Sequence, residues 1–294
     1  MNRLLIIGAG DVALRTIPLL NHQFKVYALI RNPAWRERLR ALNVTPVSGD
    51  LDHRASLLRL AGLAEAVLHF APPPAQGAGD PRTRNLLAAL SRGRLPQRLV
   101  YISTSGVYGD CGGESIDETR RLNPQTSRAQ RRVHAEQQIR DWAQRQGVRA
   151  SILRVPGIYA ADRLPLDRLQ ANAPAIDAAE DSYTNHIHAD DLACIALATL
   201  RRGKPNRVYH AVDDDQMKMG DYFDAIADAF GLARPPRLPR EQVRQAVSPM
   251  MWSFMNESRR MSATRMQREL RVRLRYPGLA DTLAGINGKT CGAT

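Results

Sequence analysis

The sequence predicts an α/β fold: a doubly wound parallel sheet with a small, interleaved C-terminal α/β cap. Three observations carry this. Short apolar runs alternate with helical stretches through the first two-thirds of the 294 residues, as they do in a parallel sheet covered on both faces. The links between them are mostly short turns. After Asp213 the character changes to a helix, a PPRLP turn and a Met-rich segment.

The elements follow in order. LLII (4–7) is a buried strand, followed by a helix through about Leu20. FKVYALI (24–30) precedes a helix at 34–41, and VTPVS (44–48) precedes one at 55–60. AVLHF (66–70) leads through a proline-rich turn to the helix TRNLLAALSR (83–92). RLVYIS (98–103) leads through a long loop to a helix over 127–146, and ASILRV (150–155) is the next strand. DDLACIALATLRR (190–202) is a helix and RVYHAV (207–212) a late strand. Periodicity is weak over 156–185. RVRLRY (271–276) alternates apolar with arginine at period two, as a half-buried strand does. The expected domains are a sheet domain at 1–165 and 186–213, a cap at 166–185 and 214–285, and a mobile tail at 286–294.

Hydrophobic residues make up 44% and charged residues 24%, ordinary for a globular chain. Cys111, Cys194 and Cys291 are widely spaced; an odd count without CxxC argues against a disulfide framework or zinc site and suits a cytoplasmic location. No run of about 18 apolar residues exists to span a membrane. The apolar run at 4–7 is shorter than the roughly 7–15 residues of a signal core. A net charge of +13 points toward nucleic acid, but 38 of the 42 basic residues are arginines scattered along the chain, and aromatics are only 5%. That is poor material for a base-stacking surface, so a small-molecule partner and no nucleic acid is the expectation.

Gly8-Ala9-Gly10-Asp11-Val12-Ala13 follows the first strand and opens a helix, a GxGxxA fingerprint for a dinucleotide in a Rossmann-type fold. Gly8 permits the tight turn, Gly10 lets the backbone approach a diphosphate, and Ala13 allows close helix–strand packing. The helix N-terminus at Asp11 and Val12 offers free N–H groups and the positive end of its dipole to the phosphates. Roughly 20 residues on, where an acid would bind the ribose of NAD, stand Arg31 and Asn32. A guanidinium attracts a 2′-phosphate, so NADP is expected to be preferred over NAD. The competing reading is that Arg31 only caps its strand.

Taken with SGDL (48–51), VLHFAPP (67–73), YISTSGVYG (101–109), LRVPGIYA (153–160), NHIHADDLA (185–193), RVYHAVDD (207–214) and ESRRMS (257–262), the chain resembles the extended or atypical short-chain dehydrogenase/reductases, the NAD-dependent epimerase/dehydratase group. The resemblance implies that Asp50 and Leu51 lie near the adenine, and that His69, Phe70, Ala71 and Pro72 line the cofactor. It implies that Ser103, Thr104 and Ser105 face the nicotinamide, and that a homodimer forms through the helices at 83–92 and 127–146. It also implies a Tyr-x-x-x-Lys pair that moves the proton. With the register anchored on Ala135-Glu136, those positions hold Arg128 and Arg132, and no Tyr-x-x-x-Lys occurs anywhere in the chain.

Ala135, Ile139, Trp142 and Ala143 form an apolar stripe that Arg128 and Arg132 extend toward the helix N-terminus. Both are expected to project into the cleft, with Arg131 turned away. Arg132 is expected to hold a cofactor phosphate and Arg128 a substrate anion; the local alternative pairs Arg132 with Glu136. With tyrosine missing, Tyr108 is the chosen proton-transfer candidate, with Thr104 and Ser105 orienting hydrogen bonds. Cys111 is a further candidate, and Tyr159 is a substrate-site candidate.

His186, His188, Asp190 and Asp191 could suggest a metal cluster, but Asp190 as an N-cap and Asp191 in the first helical turn explain them structurally, and no metal is expected. Arg259, Arg260, Arg265, Arg268, Arg271, Arg273 and Arg275 read as the solvent face of an amphipathic segment packing the cap. Asp213, Asp214 and Asp215 read as a solvated turn. Two functions remain: an NAD(P)-dependent oxidoreductase, epimerase or dehydratase acting on a small polar or nucleotide-linked substrate, or a catalytically silent NADP(H) sensor.

Overall fold

The computed structural model describes residues 2–20 and 23–290. Strands β1 (Asn2–Ile7), β2 (Phe24–Ile30), β3 (Val44–Ser48), β4 (Ala66–His69) and β5 (Arg98–Thr104) join Arg149–Val155 and Arg207–His210 in one sheet. Numbered along the chain, its seven strands stand in the spatial order 3-2-1-4-5-6-7, all parallel. Leu4 of β1 sits between Val26 of β2 and Ala66 of β4.

Side-chain alternation sends each strand's apolar residues to two separate cores. Leu4 and Ile6 join Ala13, Ile17, Leu192 and Ile195 on one face. Leu5 and Ile7 join Leu86, Leu90, Ile139 and Trp142 on the other. The first face therefore carries α1 (Asp11–Leu20), and the second carries α3 (Pro81–Leu90) and α4 (Ser127–Gln146). Between α1 and α3 lies α2 (Trp35–Ala41). Thr126 caps α4 by accepting from Ala129 N, and Gly147 ends it at φ 69°, the left-handed geometry that glycine adopts without penalty.

The cap contains α5 (Leu166–Gln170), and the chain then re-enters the sheet domain through α6 (Ala189–Arg202). It returns through α7 (Met219–Ala229), α8 (Arg240–Ala246), α9 (Pro249–Met255) and α10 (Leu279–Thr290). A third apolar cluster joins these pieces, with Leu169, Ile176, Phe223, Ile226, Val243 and Leu283 at its centre.

The structure revises several expectations. Met261, Met266 and Leu270 are buried in the sheet domain's core cluster rather than the cap's. RVRLRY keeps its alternating burial but pairs with no strand. The residues at 55–60 form a 3₁₀ turn. Helix α10 continues to Thr290, into the segment expected to be a mobile tail; Cys291 and the last residues lie outside the described residues. No helix among the described residues is long and apolar enough to cross a membrane.

Candidate active site

Two cavities open along the carboxyl edge of the sheet, where parallel α/β sheets place their ligands. The first, about 410 Å³, is lined by Gly8 and Gly10 after β1, Arg31 after β2, Asp50 and Leu51 after β3, and Ala71 and Pro72 after β4. Sequence reasoning had named all seven. It missed Arg82, which also lines this cavity and grips Asp52 through two hydrogen bonds of 2.6 and 2.8 Å. Its position, a helix away in sequence, left no local signal.

The two fingerprint glycines differ physically. Gly8 has φ +94°, and a Cβ there would lie 2.5 Å from Ala71 N. The fold itself therefore requires glycine at 8. Gly10 has no such φ, and a Cβ would meet nothing within 4 Å. Protein packing does not require glycine at 10, whereas a diphosphate drawn against the backbone would. The residues present thus fit a dinucleotide.

Asp11 is tied into a charge network. Arg15 contacts Asp11, Asp162 and Asp190, and Arg163 contacts Asp11 at 2.8 Å. Burial opposes ionisation of Asp11, but the hydrogen bonds from Arg15 and Arg163 outweigh it and hold the carboxyl below its usual range. The network pins the start of α1 to the turn at 161–163 and to the start of α6.

Further along the edge, His69 is buried rather than lining the cofactor cleft. Its Nε2 lies 3.1 Å from Thr83 Oγ1. Burial first, then the Arg132 cation, pushes its imidazole down to about 3, so it is neutral. Phe70 is partly buried against the sheet-domain core. Ser103 is buried with its hydroxyl unpartnered, and Thr104 turns its own hydroxyl to Gly106 N.

Arg132 does not pair with Glu136. Its Nη1 donates to Ile102 O at 2.7 Å and to the Tyr101 hydroxyl at 2.9 Å, at the end of β5. Glu136 is instead bound to Arg154 at 2.7 Å, both deeply buried. Arg131 is buried and donates to Gly77 O. Arg128 lies on the ring of Phe254, 4.4 Å from its centroid, and makes no ion pair among the described residues.

The second cavity, about 230 Å³, lies between sheet domain and cap. Ser105 stands in its wall at the end of β5, with Arg259 and Glu257 beside it. Arg259 corrects the reading of a solvent-facing arginine patch: it is 8% exposed and donates to Glu257, to Gly109 O and, at 3.4 Å, to Ser105 Oγ. Its neighbours are engaged too, Arg260 on the Tyr183 ring and Arg265 beside Glu118. The ESRRMS string was the only sequence signal for this.

Three candidates fall outside the site. Tyr108 is 1% exposed and its phenol is held by His210 and Arg154. Tyr159 is equally buried, edge-on to His186 and His188. Cys111 is buried, which pushes its thiol up. The histidines serve the fold: His188 rather than Asp190 caps α6, and His186 stacks on Tyr222 at 4.0 Å. Asp213 is 3% exposed, not part of a solvated turn.

Residues 8–211 match the NAD-dependent epimerase/dehydratase family. The chain belongs to that family. Over 227 residues it is 26% identical to a dTDP-glucose 4,6-dehydratase of Mycolicibacterium smegmatis, covering 69% of this chain and 68% of the relative. The match to the corresponding Mycobacterium tuberculosis enzymes spans 55% of their length. Over 269 residues this family member is 23% identical to a 4-hydroxy-2-methyl-3-oxo-4-farnesyl-3,4-dihydroquinoline-1-oxide ketoreductase of Stigmatella aurantiaca, covering 84% and 79% of the two chains. Among solved structures, a conserved protein of unknown function from Silicibacter pomeroyi superposes with a TM-score of 0.80 at 28% identity, covering 98% of this chain and 99% of that one. The dTDP-glucose 4,6-dehydratase DesIV of Streptomyces venezuelae, solved with NAD bound, gives 0.77 at 20% identity, covering 99% and 97%, and shares the epimerase/dehydratase fold.

Proposed function

We propose that this family member is a nicotinamide-dependent oxidoreductase, epimerase or dehydratase that prefers NADP to NAD and acts on a carbonyl or hydroxyl compound. One observation carries the proposal: the open space at Gly10, set against the tightly packed Gly8. Gly8, Gly10 and the first N–H groups of α1 would hold the diphosphate, with Asp50, Leu51, Ala71 and Pro72 flanking the rest. Arg31, exposed on the wall of that cleft, would meet a 2′-phosphate. When bound, the nicotinamide supplies or accepts hydride. Ser105 would hold the substrate oxygen, backed by the Arg259 cation, and Arg128 would meet an anionic substituent.

A second reading, a silent NADP(H) sensor, is favoured by one observation. With the register anchored on Ala135-Glu136, Arg128 and Arg132 would stand where the family resemblance expects the proton-moving pair, and a guanidinium does not give up its proton in a protein. Stopped-flow oxidation of bound NADPH across a carbonyl panel separates the two. Turnover with at least one carbonyl supports the enzyme; tight NADPH binding with no oxidation on any member supports the sensor. Arg31→Asp is expected to reverse the nucleotide preference, raising the NADPH Kd at least about tenfold relative to NADH, about 1.4 kcal/mol. An unchanged ratio contradicts the NADP preference.

A further inference from the structure

One flank of the nucleotide cleft is bridged by parts of the chain that are distant in the sheet. Strands β3 and β4 are separated by β2 and β1, three spacings or about 14 Å at roughly 4.8 Å per strand. The loop after β3 and the helix after β4 nevertheless meet at two points. Asn85 Nδ2 of α3 donates to Leu51 O at 2.8 Å. One turn earlier on α3, Arg82 donates from Nε and Nη2 to the two carboxylate oxygens of Asp52 at 2.8 and 2.6 Å. The two ties differ. Leu51 is buried, so the inner tie belongs to the packed wall. Asp52 is exposed and Arg82 half-buried, so the outer tie sits at the rim in contact with water. Arg82 itself lines the cleft.

The hydrogen bonds from Arg82 outweigh burial and hold the Asp52 carboxyl below its usual range, so the pair is ionic at neutral pH. The β4 side has little give. Pro72, Pro73 and Pro74 fix their own φ angles, and Arg82 Nη1 reaches back to Pro72 O at 3.4 Å. Widening this flank therefore has to break the Asp52–Arg82 pair. A two-point guanidinium–carboxylate contact imposes geometry, yet at a wet rim it adds little to the stability of the fold. That combination suits a contact that opens and closes.

We propose that the Asp52–Arg82 pair is a releasable tie on the flank of the nucleotide cleft: closed, it retains a bound dinucleotide, and its opening sets the rate at which the dinucleotide leaves. The proposal rests on the nicotinamide-dependent reading above and adds a control on cofactor exchange. Arg82 is a positioning residue of the cleft wall.

Stopped-flow displacement of bound NADPH, with thermal melts, tests this on the wild type, Asp52→Asn, Arg82→Gln and the double variant. Each single substitution is expected to speed release about three- to fivefold, the upper end of what an exposed ion pair contributes. The double variant should be no faster than either single one, because both remove the same interaction. Melting curves should coincide. Added salt should speed release from the wild type more than from Asp52→Asn, since screening weakens the pair. Arg82→Lys keeps the charge without the two-point grip; it serves if Arg82→Gln does not fold, and an intermediate rate is expected. Release from Asp52→Asn no faster than from the wild type overturns the proposal, whatever Arg82→Gln does. Failure of NADPH to bind the wild type overturns the broader reading instead, so the two failures are distinguishable.

Discussion

Tyr108 has the phenol that proton transfer at a strand end would use, but its surroundings settle where that proton goes. His210 Nδ1 lies 3.2 Å from Ser262 O, an acceptor only, so Nδ1 carries the hydrogen. His210 Nε2, 2.6 Å from the phenol, therefore accepts from Tyr108, whose oxygen in turn accepts from Arg154 at 2.7 Å. Burial pushes the phenol up to about 12. Tyr108→Phe should cost about 1–3 kcal/mol of stability, the cost of orphaning buried partners. Turnover should change less than about tenfold, against the 10²–10⁴-fold loss of a general acid. Chemical denaturation with parallel kinetics checks both, and a hundredfold loss of turnover at unchanged stability would restore Tyr108 to the chemistry. Residue type suggested this candidate; the partners that disqualify it come from positions 154 and 210, beyond reach of any local pattern.

Asp213 carries a second residue-scale prediction. Burial first, then the charge of Asp215, pushes its carboxyl up to about 8, against the Asp215 N–H and the Tyr159 hydroxyl, which favour the charged form. The folded-state value is raised above the ordinary one, so the native protein keeps a proton that the unfolded chain releases. Stability therefore falls as pH rises from about 4 to about 8. Asp213→Asn removes this loss. The melting temperature of the wild-type chain should fall between pH 5 and pH 8 by several degrees more than that of the variant, at roughly 2–4 °C per kcal/mol for a chain of this class. Parallel profiles would show that the carboxyl is ionised in the native state.

At the scale of elements, legibility followed length and local sufficiency. Strands β2 and β3 and helix α4 were readable to the residue, because a run of five to seven apolar-rich residues or a stripe through Ala135, Ile139 and Trp142 identifies itself. Two-residue strands such as Ser115–Ile116 with Arg260–Met261 were not, since they contain no full period. RVRLRY misled for a related reason: alternating burial needs only an extended chain, whereas a strand needs a partner edge, and Asp191 instead accepts from Arg275 N and Tyr276 N. The β1–α1 turn was the most legible functional element, since its glycine spacing encodes both a backbone requirement and a ligand requirement. These should separate by mutation. Gly8→Ala should lower the melting temperature markedly through the clash with Ala71 and the positive φ, and recovery of a wild-type melting curve would contradict the packing argument.

For the whole molecule, the doubly wound topology places both cavities on one edge of one sheet, and the cap closes over the second. The sheet domain and the nucleotide cleft could be read from the chain because contiguous motifs build them. The second cavity could not, because Ser105, Ile158, Phe223 and the stretch from Phe254 to Arg259 converge from four separated segments. The account as a whole depends on a dinucleotide lying against α1 where Gly10 leaves room. Fluorescence titration of NADPH into the wild-type chain and Gly10→Val, alongside thermal melts of both, tests this directly. The prediction is saturable binding to the wild type, loss of at least about a hundredfold in affinity in the variant, roughly 2.7 kcal/mol, and melting curves that coincide. Equal NADPH affinity in the two proteins, or no binding to either, would contradict it.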